Sequence, residues 1–268
     1  MTKKLLVLDL DGTLLTDDKT VTVKTSDAIK NAVKDGHKVM IASGRPLASA
    51  RRCAKKYLPD VPGSLLIAMN GGILYDLDHE KVLSRKTMDL GLVQTLFDLA
   101  DEYGQYIHTY SDDKVLTRRE APQIHQYIQL TGLPYECRED CPRGIERPPK
   151  VLLSNLEDHD ALARFKQVAD RAVNGRCLSF FSTPEYLEYT PLDSTKGHAM
   201  LDAAKLLEIA REDTIAVGNE ENDLSMIEMA GVGVAMSNSN PGVLKKADYI
   251  TKADNNHDGI AEVITKFM

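Results

Sequence analysis

The chain has no C-x-x-C pair, no excess of basic charge, no internal repeat and no apolar run long enough to span a bilayer. Each absence removes a class of function. Its four cysteines, Cys53, Cys137, Cys141 and Cys177, have neither the spacing nor the neighbours of a zinc site, so they read as free thiols. Lysine and arginine number 33 against 40 acids, a formal charge of -7. That balance argues against nucleic acid or an anionic membrane as the main partner. It leaves room for small anions, which need only a few local cations. The first apolar stretch is broken by Asp9 and Asp11 and lacks the length and cleavage site of a secretory signal, so the expected location is the cytoplasm. With 43% hydrophobic residues over 268 positions, the chain can fill a sizeable core as one large domain or two.

What is present is concentrated in Leu5 to Thr13, LLVLDLDGT. An apolar run ends abruptly in two carboxylates, the pattern of a buried strand that delivers acids to its own C-terminal end. In open α/β sheets, ligands sit beyond that end. Asp9 and Asp11 are two apart, so a regular strand would put both on one face. Two such acids repel unless a cation lies between them, which asks for a hard, oxygen-liganded metal, most simply Mg2+.

Downstream the pattern alternates. A helix is predicted over 23–35, with Ala28, Ile29, Ala32 and Val33 on its apolar side, then a strand over 38–42. That strand runs into Ser43-Gly44-Arg45-Pro46 and a helix to about Tyr57, with Pro46 in its first turn. A strand over 65–69 ends in Asn70-Gly71-Gly72, and a hairpin follows. Strand, helix, strand, helix, strand predicts a parallel sheet with right-handed crossovers. From about Lys86 the texture changes to a helix over 89–103 and alternating strands over 105–110 and 114–117 that look exposed. Elements over 122–131, 150–154, 158–173, 177–182 and 186–189 complete a separate α+β unit. Asp193 or Ser194 is expected to cap a helix through Lys196. The βαβ pattern then resumes with a strand over 214–217, Gly218-Asn219-Glu220-Glu221-Asn222-Asp223, a helix and a strand over 232–236.

Four sites therefore share one topological position at strand or helix ends: Asp9 with Asp11, Ser43, Lys196, and Asn219 with Asn222 and Asp223. Ser43 with the Gly44 amide is a ready anion site. Lys196 adds a point charge suited to a phosphate oxygen. Asp223 returns a carboxylate to the acids. Acids for a metal, with a hydroxyl, amides and a lysine for an anion, describe a phosphoryl-group site.

On these pieces the chain resembles the haloacid dehalogenase (HAD) superfamily phosphatases of the Cof-type, YidA-like sugar phosphatase family. The matching segments are D-L-D-G-T at 9–13, S-G-R at 43–45, N-G-G at 70–72, T-K-G at 195–197 and G-N-E-E-N-D at 218–223. They fall in the family's order along the whole chain. The resemblance implies an α/β Rossmann-like core over 1–85 and 190–268, with an inserted α+β cap of type IIB over 86–189 that closes over the core and sets specificity. It implies that Asp9 is nucleophile and metal ligand, and that Asp11 is general acid/base and ligates the metal through its backbone carbonyl. Ser43 and Lys196 would hold the phosphoryl group, in a shell that also takes in Leu10, Gly44, Arg45, Asn70, Gly71 and Asn222. Asn219, Asn222 and Asp223 would complete the metal site. The expected activity is Mg2+-dependent hydrolysis of small phosphorylated metabolites, sugar phosphates foremost, with a homodimer allowed as the assembly. The residues suit that chemistry. A carboxylate can form an aspartyl-phosphate, and phosphoryl transfer needs mainly positioning and neutralised charge. Phosphate monoesters require accelerations on the order of 10^21, which no single acid supplies. A second acid also weighs against dehalogenation, where no leaving group needs protonation.

One position departs from the family's pattern, which usually has Asp where this chain has Asn219. The site loses a negative charge, so weaker Mg2+ binding and low activity are expected. Two rivals follow: a phosphomutase that passes the phosphoryl group to a second hydroxyl, and a catalytically impaired phosphate-binding or regulatory protein. Gly231-Val232-Gly233 lacks the third glycine of a dinucleotide loop. His108, His125 and His198 read as surface or packing residues. Arg143 and Arg147 read as a solvated loop.

Overall fold

The computed structural model describes every residue except Met1, Asp60 and Asp112. The chain divides into two compact units, one of Met1–Arg45, Ala50–Ser84 and Thr195–Met268, the other of Pro46–Ser49 and Arg85–Ser194. The expected α/β class holds. In the first unit, Leu5–Leu8 lies near the middle of an eight-stranded sheet, and all four of its residues are buried. A strand covered on both faces is apolar throughout, which is why this segment reads as an unbroken run. Across the sheet the order is Tyr249–Ile250, Val232–Ala235, Thr214–Gly218, Leu5–Leu8, Lys38–Ala42, Leu65–Ala68, Ile73–Asp76, Lys81–Arg85. The first six are parallel, and Ile73–Asp76 returns antiparallel. Leu6 opposes Ile215 on one side and Val39 on the other. The chain leaves Leu5–Leu8 in one direction along the sheet and comes back on its other flank with Thr214–Gly218. In folds of this class, ligands bind beyond the strand ends at such a reversal.

Helix Lys196–Leu206 lays Ala199, Met200, Ala203 and Ala204 against a cluster holding Val7, Met40, Ile67 and Ala216. Helix Val23–Lys34 buries Ile29 and Ala32 and lies beside helix Gly259–Phe267. Ala28 and Val33, expected on the same face, are only partly buried.

Several boundaries differ from the sequence reading. The third strand stops at Ala68, and Met69–Gly71 forms a 3-10 turn with Met69 and Asn70 left-handed at φ 54° and 55°. The helix expected to take Pro46 into its first turn begins at Leu47. Thr195, rather than Asp193 or Ser194, caps the helix at Lys196, its Oγ1 accepting from the His198 amide at 3.2 Å.

The second unit is a six-stranded sheet in the order Leu178–Thr183, Tyr186–Thr190, Val151–Ser154, Tyr106–Tyr110, Val115–Thr117, Tyr135–Cys137. Helices Leu90–Glu102 and His159–Val173 share one core with the Ile107, Leu153 and Leu187 side of the sheet. Strands 106–110 and 115–117, which the alternation marks as exposed, are buried along their whole length. The polar residues of that alternation have a cover of their own. Tyr127, on helix Pro122–Thr131, packs its ring tilted against His108 at 4.6 Å and edge-on to Tyr186 at 6.0 Å between ring centroids. His108 is thus a packing residue, fully buried and bonded to the Tyr110 hydroxyl at 3.0 Å.

Candidate active site

Strand Leu5–Leu8 ends where its ladder does, with the Asp9 amide donating to Val217 O at 3.0 Å. The Asp9 side chain then meets Lys196, whose ammonium donates to Asp9 Oδ1 and to Asp223 Oδ1, each at 2.6 Å. Lys196 and Asp223 are fully buried and Asp9 is 8% exposed. An ammonium 187 positions from Asp9 in sequence thus joins that acid to Asp223. The other oxygen of Asp223 accepts from the amides of Asn219 at 2.8 Å and Glu220 at 3.0 Å. With both oxygens engaged, Asp223 fastens the 219–223 loop and Lys196 together.

The charges do not balance. Two buried carboxylates face one ammonium, and burial pushes the Asp9 carboxyl up to about 7, with the charge of Asp223 adding to it and Lys196 opposing. Burial alone would lower the Lys196 ammonium, but Asp223 and Asp9 outweigh it and hold Lys196 above its ordinary value.

Asp11 is not beside Asp9's partners. Its Oδ2 accepts from Arg45 Nη2 at 2.7 Å and Nε at 3.2 Å, and its Oδ1 accepts from Lys19 Nζ at 2.8 Å. Burial would raise this carboxyl, but hydrogen bonds from Lys19 and Arg45 and their charges prevail and hold it below the usual range. The turn between the acids is what separates them. Regular strand ends at Leu8, so the two-residue period no longer applies at Asp11.

Gly12, at φ 74°, completes that turn. A Cβ there would meet the Asn219 amide nitrogen at 2.7 Å, and the Asn219 oxygen accepts from Thr13 Oγ1 at 2.8 Å. Thr13, which no motif reading singled out, thus fixes which way the Asn219 side chain lies. Its signal is its place in D-L-D-G-T, where it reads only as a turn residue.

Ser43 is buried, its amide donating to Ile67 O at 2.8 Å and its Oγ accepting from the Arg45 amide at 3.2 Å. Ser43 and Gly44 lie ahead of the helix at Leu47 rather than in its first turn, so their anion-binding amides belong to a loop. That loop is stitched to the next, because the Asn70 amide donates to Ser43 O at 3.1 Å and the Met69 amide to Arg45 O at 3.0 Å. A Cβ on Gly44 would meet Asn70 Oδ1 at 2.8 Å, so a larger residue there would have to displace the Asn70 side chain. Asn222 Nδ2 donates to the same Asn70 oxygen at 3.1 Å. Leu10 is fully buried, its carbonyl taking the amides of Thr13 and Leu15. Gly71, at φ 99°, lies directly against the Thr195 backbone.

A metal fits this donor set by charge and by atom type. The cluster carries an uncompensated negative charge, and the Lys196 ammonium engages only the Oδ1 oxygen of Asp9. The Asn219 carbonyl oxygen accepts one hydrogen bond and has a second lone pair. These are hard oxygen donors of the kind Mg2+ takes. Among the described residues no three His, Cys, Asp or Glu side chains converge on one point; Asp11 and Asp223 are turned to other partners, and the remaining donors are amide and backbone oxygens.

Among known proteins, the profile of haloacid dehalogenase-like hydrolases matches residues 6–264. The chain is 28% identical to 5-amino-6-(5-phospho-D-ribitylamino)uracil phosphatase YwtE of Bacillus subtilis, over 99% of this chain and 98% of that one. The crystal structure of a haloacid dehalogenase-like hydrolase from Bacteroides thetaiotaomicron superposes with a TM-score of 0.88 at 28% identity, covering 100% of both chains. The HAD subclass IIB sugar phosphatase BT4131 superposes with a TM-score of 0.85 at 21% identity, over 99% of both chains, a likeness of fold. No helix among the described residues is long and apolar enough to cross a membrane.

Proposed function

Since the chain belongs to the haloacid dehalogenase-like hydrolase family and is a phosphatase, we propose that it hydrolyses small phosphorylated metabolites, sugar phosphates foremost, through an aspartyl-phosphate on Asp9 with Mg2+ as cofactor. The observation that carries this reading is the buried Lys196 ammonium, 2.6 Å from both Asp9 and Asp223. It holds a nucleophile and a phosphoryl-binding cation in contact at the sheet's switch point. Asp9, Asn219 and the backbone carbonyl of Asp11 would hold Mg2+, which when bound neutralises charge on the phosphoryl oxygens.

The rest falls to the chain's own residues. An Asp9 oxygen attacks phosphorus; the bond to the leaving oxygen breaks, and that oxygen takes the proton of the Asp11 carboxyl to depart as an alcohol. Water then attacks the same phosphorus and gives a proton to the Asp11 carboxylate. The phosphorus–Asp9 bond breaks, its electron pair returns to the carboxylate, and inorganic phosphate leaves. Lys196, Ser43 and the Gly44 amide bind the transferring oxygens. Asn70 and Asn222, already bonded to each other, border the leaving group's approach. Asp223 serves by holding Lys196. Residues 86–189 are read as the cap that selects the leaving group. The phosphoribityl compound in the name of the Bacillus subtilis relative supports a phosphorylated polyol or sugar as the substrate class.

Release of inorganic phosphate from p-nitrophenyl phosphate and a panel of sugar phosphates, with Mg2+, tests the proposal. Asp9→Asn should abolish it without lowering the thermal melt. Asn219 favours a second reading, a phosphate-binding protein without turnover. No release from any substrate, with phosphate still bound, would select that reading; transfer to a second hydroxyl in place of release would select a mutase.

A further inference from the structure

Lys19 belongs to none of the motifs, yet three observations converge on it. Its backbone is left-handed at φ 56°, an uncommon conformation for a residue of this size. It sits in a turn closed by Thr16 N to Thr20 O and Lys19 N to Thr16 O, both 2.9 Å, and the Tyr57 hydroxyl donates to its carbonyl at 2.9 Å. Its ammonium then reaches Asp11 Oδ1 at 2.8 Å, while Arg45 occupies Oδ2. The Lys19 side chain is 56% exposed and that of Asp11 43%, and so open an ion pair adds little to stability. A left-handed lysine carries strain that a weak pair does not offset. The turn is held by its own hydrogen bonds, and what the exposed pair can supply is the orientation of the Asp11 carboxylate.

We propose that Lys19 is a positioning residue for Asp11, holding its carboxylate in one orientation for the second half of the hydrolysis. This rests on the aspartyl-phosphate reading above. In the first half the nitrophenolate of p-nitrophenyl phosphate departs without needing a proton, so formation of the intermediate makes little call on Asp11. In the second half Asp11 is an anion. Lys19 on one oxygen and Arg45 on the other leave it a single orientation as water attacks the phosphorus on Asp9 and passes it a proton. Without Lys19 the carboxylate can rotate about its Cβ–Cγ bond, and water is deprotonated less often in line with the phosphorus. Formation of the intermediate is little affected and its hydrolysis slows.

The test is Lys19→Met in the full-length protein with Mg2+ and p-nitrophenyl phosphate. Phosphate release gives kcat and KM, and intact mass on acid-quenched samples gives the fraction of chain carrying phosphate. General-base catalysis contributes roughly 10^2–10^4-fold, and loss of orientation alone should take about tenfold from kcat, with KM within about twofold. The phosphorylated fraction should rise, and Lys19→Arg should restore most of kcat. Tyr57→Phe removes the bond to the Lys19 carbonyl without touching a charge and should give a smaller shift of the same kind. Unchanged kcat in Lys19→Met, or a fall in kcat in either Lys19→Met or Tyr57→Phe with no gain in phosphorylated chain, would overturn the proposal. A wild-type protein that releases no phosphate would instead sink the hydrolase reading and this inference with it, so the two failures are told apart by the wild-type control.

Discussion

Replacing Lys196 with methionine tests whether the centre of this site is a charge cluster or merely a packed one. Methionine matches the lysine stem in length and leaves little cavity. What disappears is the ammonium between Asp9 and Asp223, two carboxylates at 8% and 0% exposure. Removing one member of a buried ion pair leaves an uncompensated charge at a cost of about 3–5 kcal/mol. For chains of this size class each kcal/mol moves the melting temperature by roughly 2–4 °C, so the metal-free variant should melt roughly 6–20 °C lower than the wild type at neutral pH. The loss has a characteristic pH dependence. Protonating the stranded acids removes the charge that has no partner, so the gap between variant and wild type should narrow as pH falls toward 4.

A second substitution separates charge from packing. In Lys196→Met with Asp223→Asn, only Asp9 remains uncompensated. The carboxamide oxygen introduced by the second change can still accept from the amides of Asn219 and Glu220, which Asp223 Oδ2 now serves. The double variant should therefore melt higher than Lys196→Met alone, although it has lost one more native side chain. Differential scanning calorimetry on the three proteins without metal is the assay. A single variant within about 2 °C of the wild type, or a double variant no more stable than the single, would refute the charge argument. Packing alone predicts that the two losses add.

Two further outcomes follow from the same electrostatics. Asn219→Asp restores a negative oxygen where Thr13 already donates at 2.8 Å, and should tighten Mg2+ binding about tenfold or more by isothermal titration calorimetry; equal affinities would mean that Asn219 faces no metal. Because Asp9 is pushed up from 3.8 to about 7 in the folded chain, its contribution to stability without metal is fully present below about pH 4 and lost as pH rises through about 7. A metal needs the ionised form, so Mg2+ affinity should fall by up to tenfold per unit of pH below about 7; affinity that stays flat there would exclude Asp9 as a ligand.

The strands and the order of the motifs were legible because burial on both faces writes itself as composition. Leu5–Leu8, Lys38–Ala42 and Thr214–Gly218 are apolar runs that stop where polar loops begin, and a sheet that brings their ends together brings their loops together too. That Lys196 and Asp9 lie at one end of the sheet followed from that topology, whereas their direct contact at 2.6 Å did not. What failed to show was anything set by a turn. The period-two argument put Asp9 and Asp11 on one face, but the strand ends one residue before Asp9 and the next residues curl, with Gly12 at φ 74°. Asp11 then falls to Lys19 and Arg45 instead. Lys19 itself carries no signal, since a polar turn of Asp, Lys and Thr is what any solvated loop looks like. The alternation in strands 106–110 and 115–117 misled for the opposite reason. Its polar face is buried beneath a second helix through aromatic and hydroxyl contacts, which period-two reading counts as exposure. Sequence pattern reports how many faces of an element are apolar. It does not report whether a polar face meets water or meets another polar face, and catalytic sites are built from polar faces that meet each other. The residues that align Asp11 and Asn219 were therefore the ones that could be found only from distances.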